Sequence, residues 1–336
     1  MRSRDGPLGE MFRALSSRPL CERRLAFLDM ALDVRFADEL LGRYLCRTLA
    51  EWEERPVRLE GAIRCVIDYT DVVPHWREVF AGDLRSVTND LIGEMQMLRA
   101  QDGYAILLEK FGAVLRTAEG DMICLVHDVE GKRHGSDPCN LSTAACLITA
   151  SCLLQNGYLM VHAGGVARNG RCHVWTGPSG IGKTTRVLDL VAKGWDYCGD
   201  DVLILGRDKH DAWHVFPYSR TAKVTPQTRT RFTQLASLAD GKMTSHKYVF
   251  DVDRLFATTI PASGVLDRIW CIGPEPESRP RRLHESEALA RLMAGFLYYL
   301  WPEDADRVLA GMWDIVSKVP VYAVSRDTCS DDGVGT

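Results

Sequence analysis

An α/β fold is predicted by three features of this 336-residue sequence. Short β-patterned runs alternate with a helical run between Leu159 and Leu205. A tight-turn signal, Asn169-Gly170, joins two of the runs into a hairpin. The second hairpin strand then enters GPSGIGKTT, Gly177 to Thr185, a glycine-rich turn that opens a helix. Strand, turn and helix in succession are the units from which α/β domains are built.

The bulk composition suits such a fold. Hydrophobic residues make up 46% and charged residues 26%, enough to bury a core. A net charge of −4 with no long run of like charge gives no reason to expect nucleic acid or an anionic membrane as partner. The eleven cysteines are scattered, odd in number and form no Cys-x-x-Cys pair, so a zinc cluster is not suggested. MRSRDGPLGEMFRALSS lacks the apolar stretch of a signal peptide. Reduced thiols and a cytoplasmic location are therefore expected.

Taken in order, residues 1–133 are expected to form an α+β region of unassigned role. ERRLAFLDMALDVRFADELLGRYLCRTLAEW carries helical spacing of Leu, Met and Phe, broken near Val34. GAIRCVIDY and YAILLEKFGAVLRTAEGDMICLVHDV carry strand and hairpin patterns, with Glu119-Gly120 and Gly131 as turns. HGSDPCN, His134 to Asn140, is a linker or helix lead-in to a second domain over 134–328, followed by a tail over 329–336. Leu141 to Leu154 is apolar, too short to span a bilayer, and is expected to be a buried helix. YLMVHA is a buried strand, and Asn169-Gly170 supplies the positive φ angles of a two-residue hairpin turn. In KTTRVLDLVAKG, Val187, Leu188 and Val191 share one helix face, and Gly194 is placed to cap its end. WDYC, VLIL, WHVF, DRIWCIG and PVYAVS are strands, and His284 to Lys318 contains two helices.

The chemistry lies at the turn. Gly177, Pro178, Ser179, Gly180, Ile181, Gly182, Lys183, Thr184 and Thr185 match Gly-x-x-x-x-Gly-Lys-Thr between a strand and a helix. Such glycines let backbone N–H groups converge on phosphate, and the helix N-terminus adds partial positive charge. Lys183 can reach the β and γ phosphates of ATP, and Thr184 can ligate Mg²⁺. Asp200 and Asp201 follow 17 and 18 positions after Lys183. Adjacent carboxylates repel, but beside a magnesium–phosphate centre one can help hold the metal while the other accepts a proton. His162 ends the strand before the hairpin. A lone histidine there is ordinarily structural, yet it lies close enough to the turn to relay a proton. Arg220 and Lys223 after Pro217, and less strongly Lys242 and Lys247, could supply positive charge to a phosphoryl group.

HAGGVARNGRCHVWTGPSGIGKTTRVLDLVAKGWDYCGDD resembles the core of HPr kinase/phosphorylase and of HPr-kinase-related proteins. The likeness runs from Leu141 to about Leu205, and beyond that only the layout is similar. It implies a nucleotide-binding core similar to that of phosphoenolpyruvate carboxykinase; the smaller α+β N-terminal part comes from the residue patterns alone, since residues 1–130 show no likeness to the N-terminal domain of HPr kinase. It implies that Lys183 and Thr184 bind phosphate and Mg²⁺, that Asp200 is the general base, that Asp201 is a metal partner, and that His162 sits beside the acceptor. No counterpart of the family's HPr-recognition sequence is present. In length and layout the chain is more similar to the relatives that phosphorylate lasso-peptide precursors or free serine. The expected function is ATP- and Mg²⁺-dependent transfer to a hydroxyl, foremost a Ser of a peptide or small protein. Alternatives are a small-molecule hydroxyl such as serine, an ATPase or switch, and a binding module that kept the fold. A guanine-reading Asn-Lys-x-Asp and a Ser-Gly-Gly signature are both missing, which disfavours GTPase and ABC-type readings. Oligomeric state stays open, a homo-oligomer included.

Overall fold

Asn169 and Gly170 take φ 54° and 76° in the computed structural model, and so close the hairpin expected between β-patterned runs. The structure describes residues 6–18, 20–28, 30–37, 39, 53–54, 63–70, 84–89, 93–108, 112–127, 139–236, 243–244, 247–274, 279–295 and 301–326. The linker expected over His134 to Asn140 lies mostly outside them, as do Lys242 and the tail. The chain divides into two units, Met1–Asn156 and Gly157–Thr336. Together they give a mixed α/β architecture with several sheets.

The first unit is built on helix α1 (Pro7–Ser16) and a nine-stranded sheet. Its strands are β1 (Cys21–Phe27), β2 (Met30–Phe36), β3 (Glu53–Glu54), β4 (Ile63–Thr70), β5 (Leu84–Asn89), β6 (Gly93–Ala100), β7 (Gly103–Leu108), β8 (Gly112–Thr117) and β9 (Met122–His127). They lie in the order β3-β1-β2-β4-β9-β8-β7-β6-β5. Leu8, Phe12 and Leu15 of α1 bury against Val66, Leu98, Leu115 and Ile123. The Asp102 carboxylate accepts from the N–H groups of Leu8 and Gly9 at 3.2 and 2.8 Å, a long-range cap for α1. Helix α2 (Cys139–Gln155) packs on β9 and β2, and the division between units falls after it.

The start of one expected helix is strand instead. The segment with helical spacing after Glu22 begins as the antiparallel hairpin β1–β2, paired from Cys21↔Phe36 to Phe27↔Met30. Leu32, Val34 and Phe36 are buried with a period of two around Asp33 and Arg35, and the mostly apolar run from Leu25 to Leu32 that leads into them disguises it. Residues 40–52 of that segment lie outside the described residues.

The second unit holds β10 (Leu159–Val161), β11 (Gly164–Arg168), β12 (Arg171–Thr176), helix α3 (Lys183–Ala192), β13 (Asp196–Gly199), β14 (Leu203–Arg207) and β15 (Trp213–Pro217). After these come β16 (Thr221–Val224), α4 (Pro226–Arg229), β17 (Met243–Thr244), β18 (Lys247–Asp251), α5 (Val252–Phe256), β19 (Gly264–Gly273), β20 (Arg281–Arg282), α6 (Glu285–Met293), α7 (Ala305–Lys318) and β21 (Val321–Ser325). The main sheet runs β10-β14-β15-β19-β12-β11-β13, with β21 also on β19 and parallel to it. A separate sheet, β16-β18-β17, was not anticipated from the sequence. Val187, Leu188, Leu190 and Val191 of α3 bury in one core with Val166, Trp175, Trp270, Ala222 and Phe250, so α3 and the small sheet share that core. Among the described residues no helix is long and apolar enough to cross a membrane. Cys21, Cys65, Cys124, Cys146, Cys152, Cys172, Cys198 and Cys271 are free thiols.

Candidate active site

Strand β12 delivers the chain to the turn, and glycine shapes it. Gly177, Gly180 and Gly182 take φ 147°, 77° and 113°, where a Cβ is strained. At Gly177 an added Cβ would stand 2.5 Å from the Ile272 carbonyl oxygen. Nothing lies within 4 Å of where a Cβ would project from Gly180 or Gly182, so that part of the turn is open. Helix α3 starts immediately afterwards at Lys183, with its N-terminal N–H groups at the turn. Its far end closes as a Schellman motif: Trp195 N–H donates to Leu190 at 3.1 Å and Gly194 N–H to Val191 at 2.9 Å.

Lys183 folds back over the turn. Its Nζ donates to the carbonyl oxygens of Gly177 at 2.8 Å and Pro178 at 3.1 Å. Burial lowers its pKa, opposed by the charges of Asp200 and Asp201. Pro178, Ser179 and Gly180 are exposed, Ile181 packs against the core, and Thr185 Oγ1 lies 3.5 Å from Thr228 Oγ1 of α4.

The acidic pair splits as adjacent residues at a strand end do. Asp200 is 4% exposed, and Thr184 Oγ1 reaches its two oxygens at 3.0 and 2.9 Å. Burial, reinforced by the charge of Asp201, pushes the Asp200 carboxyl up to about 7. Asp201 has a left-handed backbone at φ 66°. Its carboxylate stands 3.4 Å from Lys223 Nζ, and its carbonyl accepts from His162 Nδ1 at 2.8 Å. A carbonyl can only accept, so that ring nitrogen carries the proton. Burial, then the charge of Lys183, lowers the His162 pKa. The His162 N–H donates to the Gly295 carbonyl at 3.0 Å, which anchors the end of β10.

His162, Lys183, Thr184, Asp200, Asp201 and Lys223 therefore converge. The Arg220 guanidinium pairs with Asp253 at 3.2 Å. Thr228 and the Gly295 carbonyl escaped the sequence reading, because neither carries a motif. The open glycines, the helix N-terminus and Lys183 suit a polyphosphate. Among the described residues no group of three or more His, Cys, Asp or Glu could hold a metal ion by itself. Thr184 and Asp200, already in contact, could supply the one or two protein groups that a magnesium ion takes, with water and phosphate filling its shell.

Neither a family model nor a curated protein matches the sequence. The solved structure of the Hpr(Ser) kinase/phosphatase from Coxiella burnetii is similar over 49% of this chain and 85% of that one, at 15% identity and a TM-score of 0.28. A likeness at that score carries no activity and no residue role to this chain.

Proposed function

We propose that the protein is an ATP- and Mg²⁺-dependent phosphotransferase acting on a hydroxyl, with a core of the HPr-kinase type. One observation supports this above the rest: Thr184, at the first turn of α3 beside the open glycines, bonds the buried Asp200, while Asp201 turns its carboxylate elsewhere. A bound magnesium ion would neutralise phosphate charge and favour ionised Asp200. Gly180, Gly182 and the N–H groups of α3 hold phosphate, and Lys183 exchanges its own turn's carbonyls for phosphate oxygens. Thr184 and Asp200 form the metal side. Asp201, less buried, accepts the proton of the acceptor hydroxyl, with His162 fixing its backbone. This division reverses the one that the family resemblance implies, and the Thr184–Asp200 bond is the reason for it.

The acceptor is a Ser of a peptide or small protein, or a small hydroxyl compound such as serine. Incubation with γ-labelled ATP and panels of both tests the reading. Label in an acceptor, abolished by Lys183→Ala, supports it. Full transfer by Lys183→Ala at saturating ATP refutes the phosphate role of the turn.

A further inference from the structure

We propose that Lys247 is a second phosphate-binding lysine, which selects nucleoside triphosphate over diphosphate by contacting the terminal phosphate. The inference rests on the phosphotransferase reading and deepens it. Its grounds are the small sheet β16-β18-β17. In that ladder Ala222 pairs with Phe250 and Val224 with Tyr248, and all four are buried in the core shared with α3. Thr221, Lys223, Lys247, Val249 and Asp251 must then project from the opposite face, since side chains alternate along a strand. The Lys223–Asp201 contact of 3.4 Å fixes where this face looks: towards the acidic pair. Lys223 pairs with Val249, two residues from Lys247, so the two lysines are diagonal neighbours, roughly 7–8 Å apart by ladder geometry.

Lys247 is half-buried, and its charge opposes the charging of both Lys183 and His162. Of the carboxylates that meet this face, Asp201 pairs with Lys223 and Asp251, at the far end of β18, with Arg254 at 3.3 Å. Among the described residues none pairs with Lys247. Convergent like charges are unfavourable by themselves and become favourable around a bound anion. Lys183 and the helix N-terminus serve the phosphates nearest the turn. Lys247 comes from a different sheet, on the face whose neighbour Lys223 touches Asp201, where the transferred end must meet its acceptor.

Calorimetric titration of the full chain with Mg²⁺ plus ADP, or plus the β,γ-imido analogue of ATP, tests this without turnover. Lys247→Met keeps the aliphatic stem and removes the charge. It is expected to weaken binding of the triphosphate analogue about tenfold or more while ADP binding stays within about twofold. Lys247→Arg restores the preference. Without nucleotide, Lys247→Met should melt no lower than the parent, because a repelling charge has gone. Equal losses for both nucleotides, no loss for either, or a lower nucleotide-free melting temperature would each overturn the role. Parent protein that binds neither nucleotide would instead overturn the phosphotransferase reading, and this inference with it.

Discussion

Asp201 holds a left-handed backbone with a Cβ attached, a conformation that costs roughly 1–3 kcal/mol and persists where surroundings enforce it. Here His162 on its carbonyl and Lys223 on its carboxylate do so. Asp200, one residue earlier, is buried and tied to Thr184. The two carboxylates should therefore fail differently. Asp201→Asn is expected to bind Mg-ATP almost normally while transfer falls about a hundredfold to ten-thousandfold, the range for a lost general base. Asp200→Asn should raise the magnesium requirement about tenfold or more. Binding and transfer titrations of both variants check this, and the opposite pattern would return the base role to Asp200. A pH effect follows as well. The Asp200 carboxyl is held at about 7 against an ordinary 3.8. Between those values the folded state keeps a proton that the unfolded chain has released. Metal-free, nucleotide-free protein should therefore lose stability as pH rises from about 4 to about 7, then level off. Asp200→Asn should flatten that slope and melt above the parent at pH 8. Parallel melting profiles would show that Asp200 ionises normally.

Among elements, the hairpin, turn and helix from Gly164 to Ala192 were legible because each junction carries its own residue signal. Asn169-Gly170 closes the hairpin, the glycine-rich turn opens α3, and Gly194 at φ 84° ends it. Gly194→Ala should destabilise the protein by about 1 kcal/mol, measured as a denaturation midpoint, and leave nucleotide affinity unchanged. A loss of affinity would mean that the cap positions the turn. The β1–β2 hairpin was not legible. Its turn uses Leu28 at φ 55°, where neither Asn nor Gly marks it, and from Leu25 to Leu32 every residue but Asp29 is apolar, so periods of 2 and 3.6 fit that stretch alike. The sheet β16-β18-β17 escaped because its strands have two to five residues each. Lys223 and Lys247 could be singled out by type, but their common face needs the ladder register. Which aspartate meets Thr184 also depends on the direction of a strand end, and composition says nothing of it.

At the scale of the whole molecule, the two units have separate cores, one under α1 and one under α3. The glycine-rich turn, acidic pair and lysines belong to the second. A site with a proton acceptor poised for a hydroxyl should discriminate between that hydroxyl and water, which separates a phosphotransferase from an ATPase or switch. The measurement that bears most directly on this is the fate of the γ-phosphoryl group of labelled ATP, followed with and without peptide and small-molecule hydroxyl acceptors. The expected result is slow release of free phosphate by the protein alone, and rapid appearance of label on one acceptor. Fast hydrolysis that no acceptor alters, with no label transferred, would contradict it.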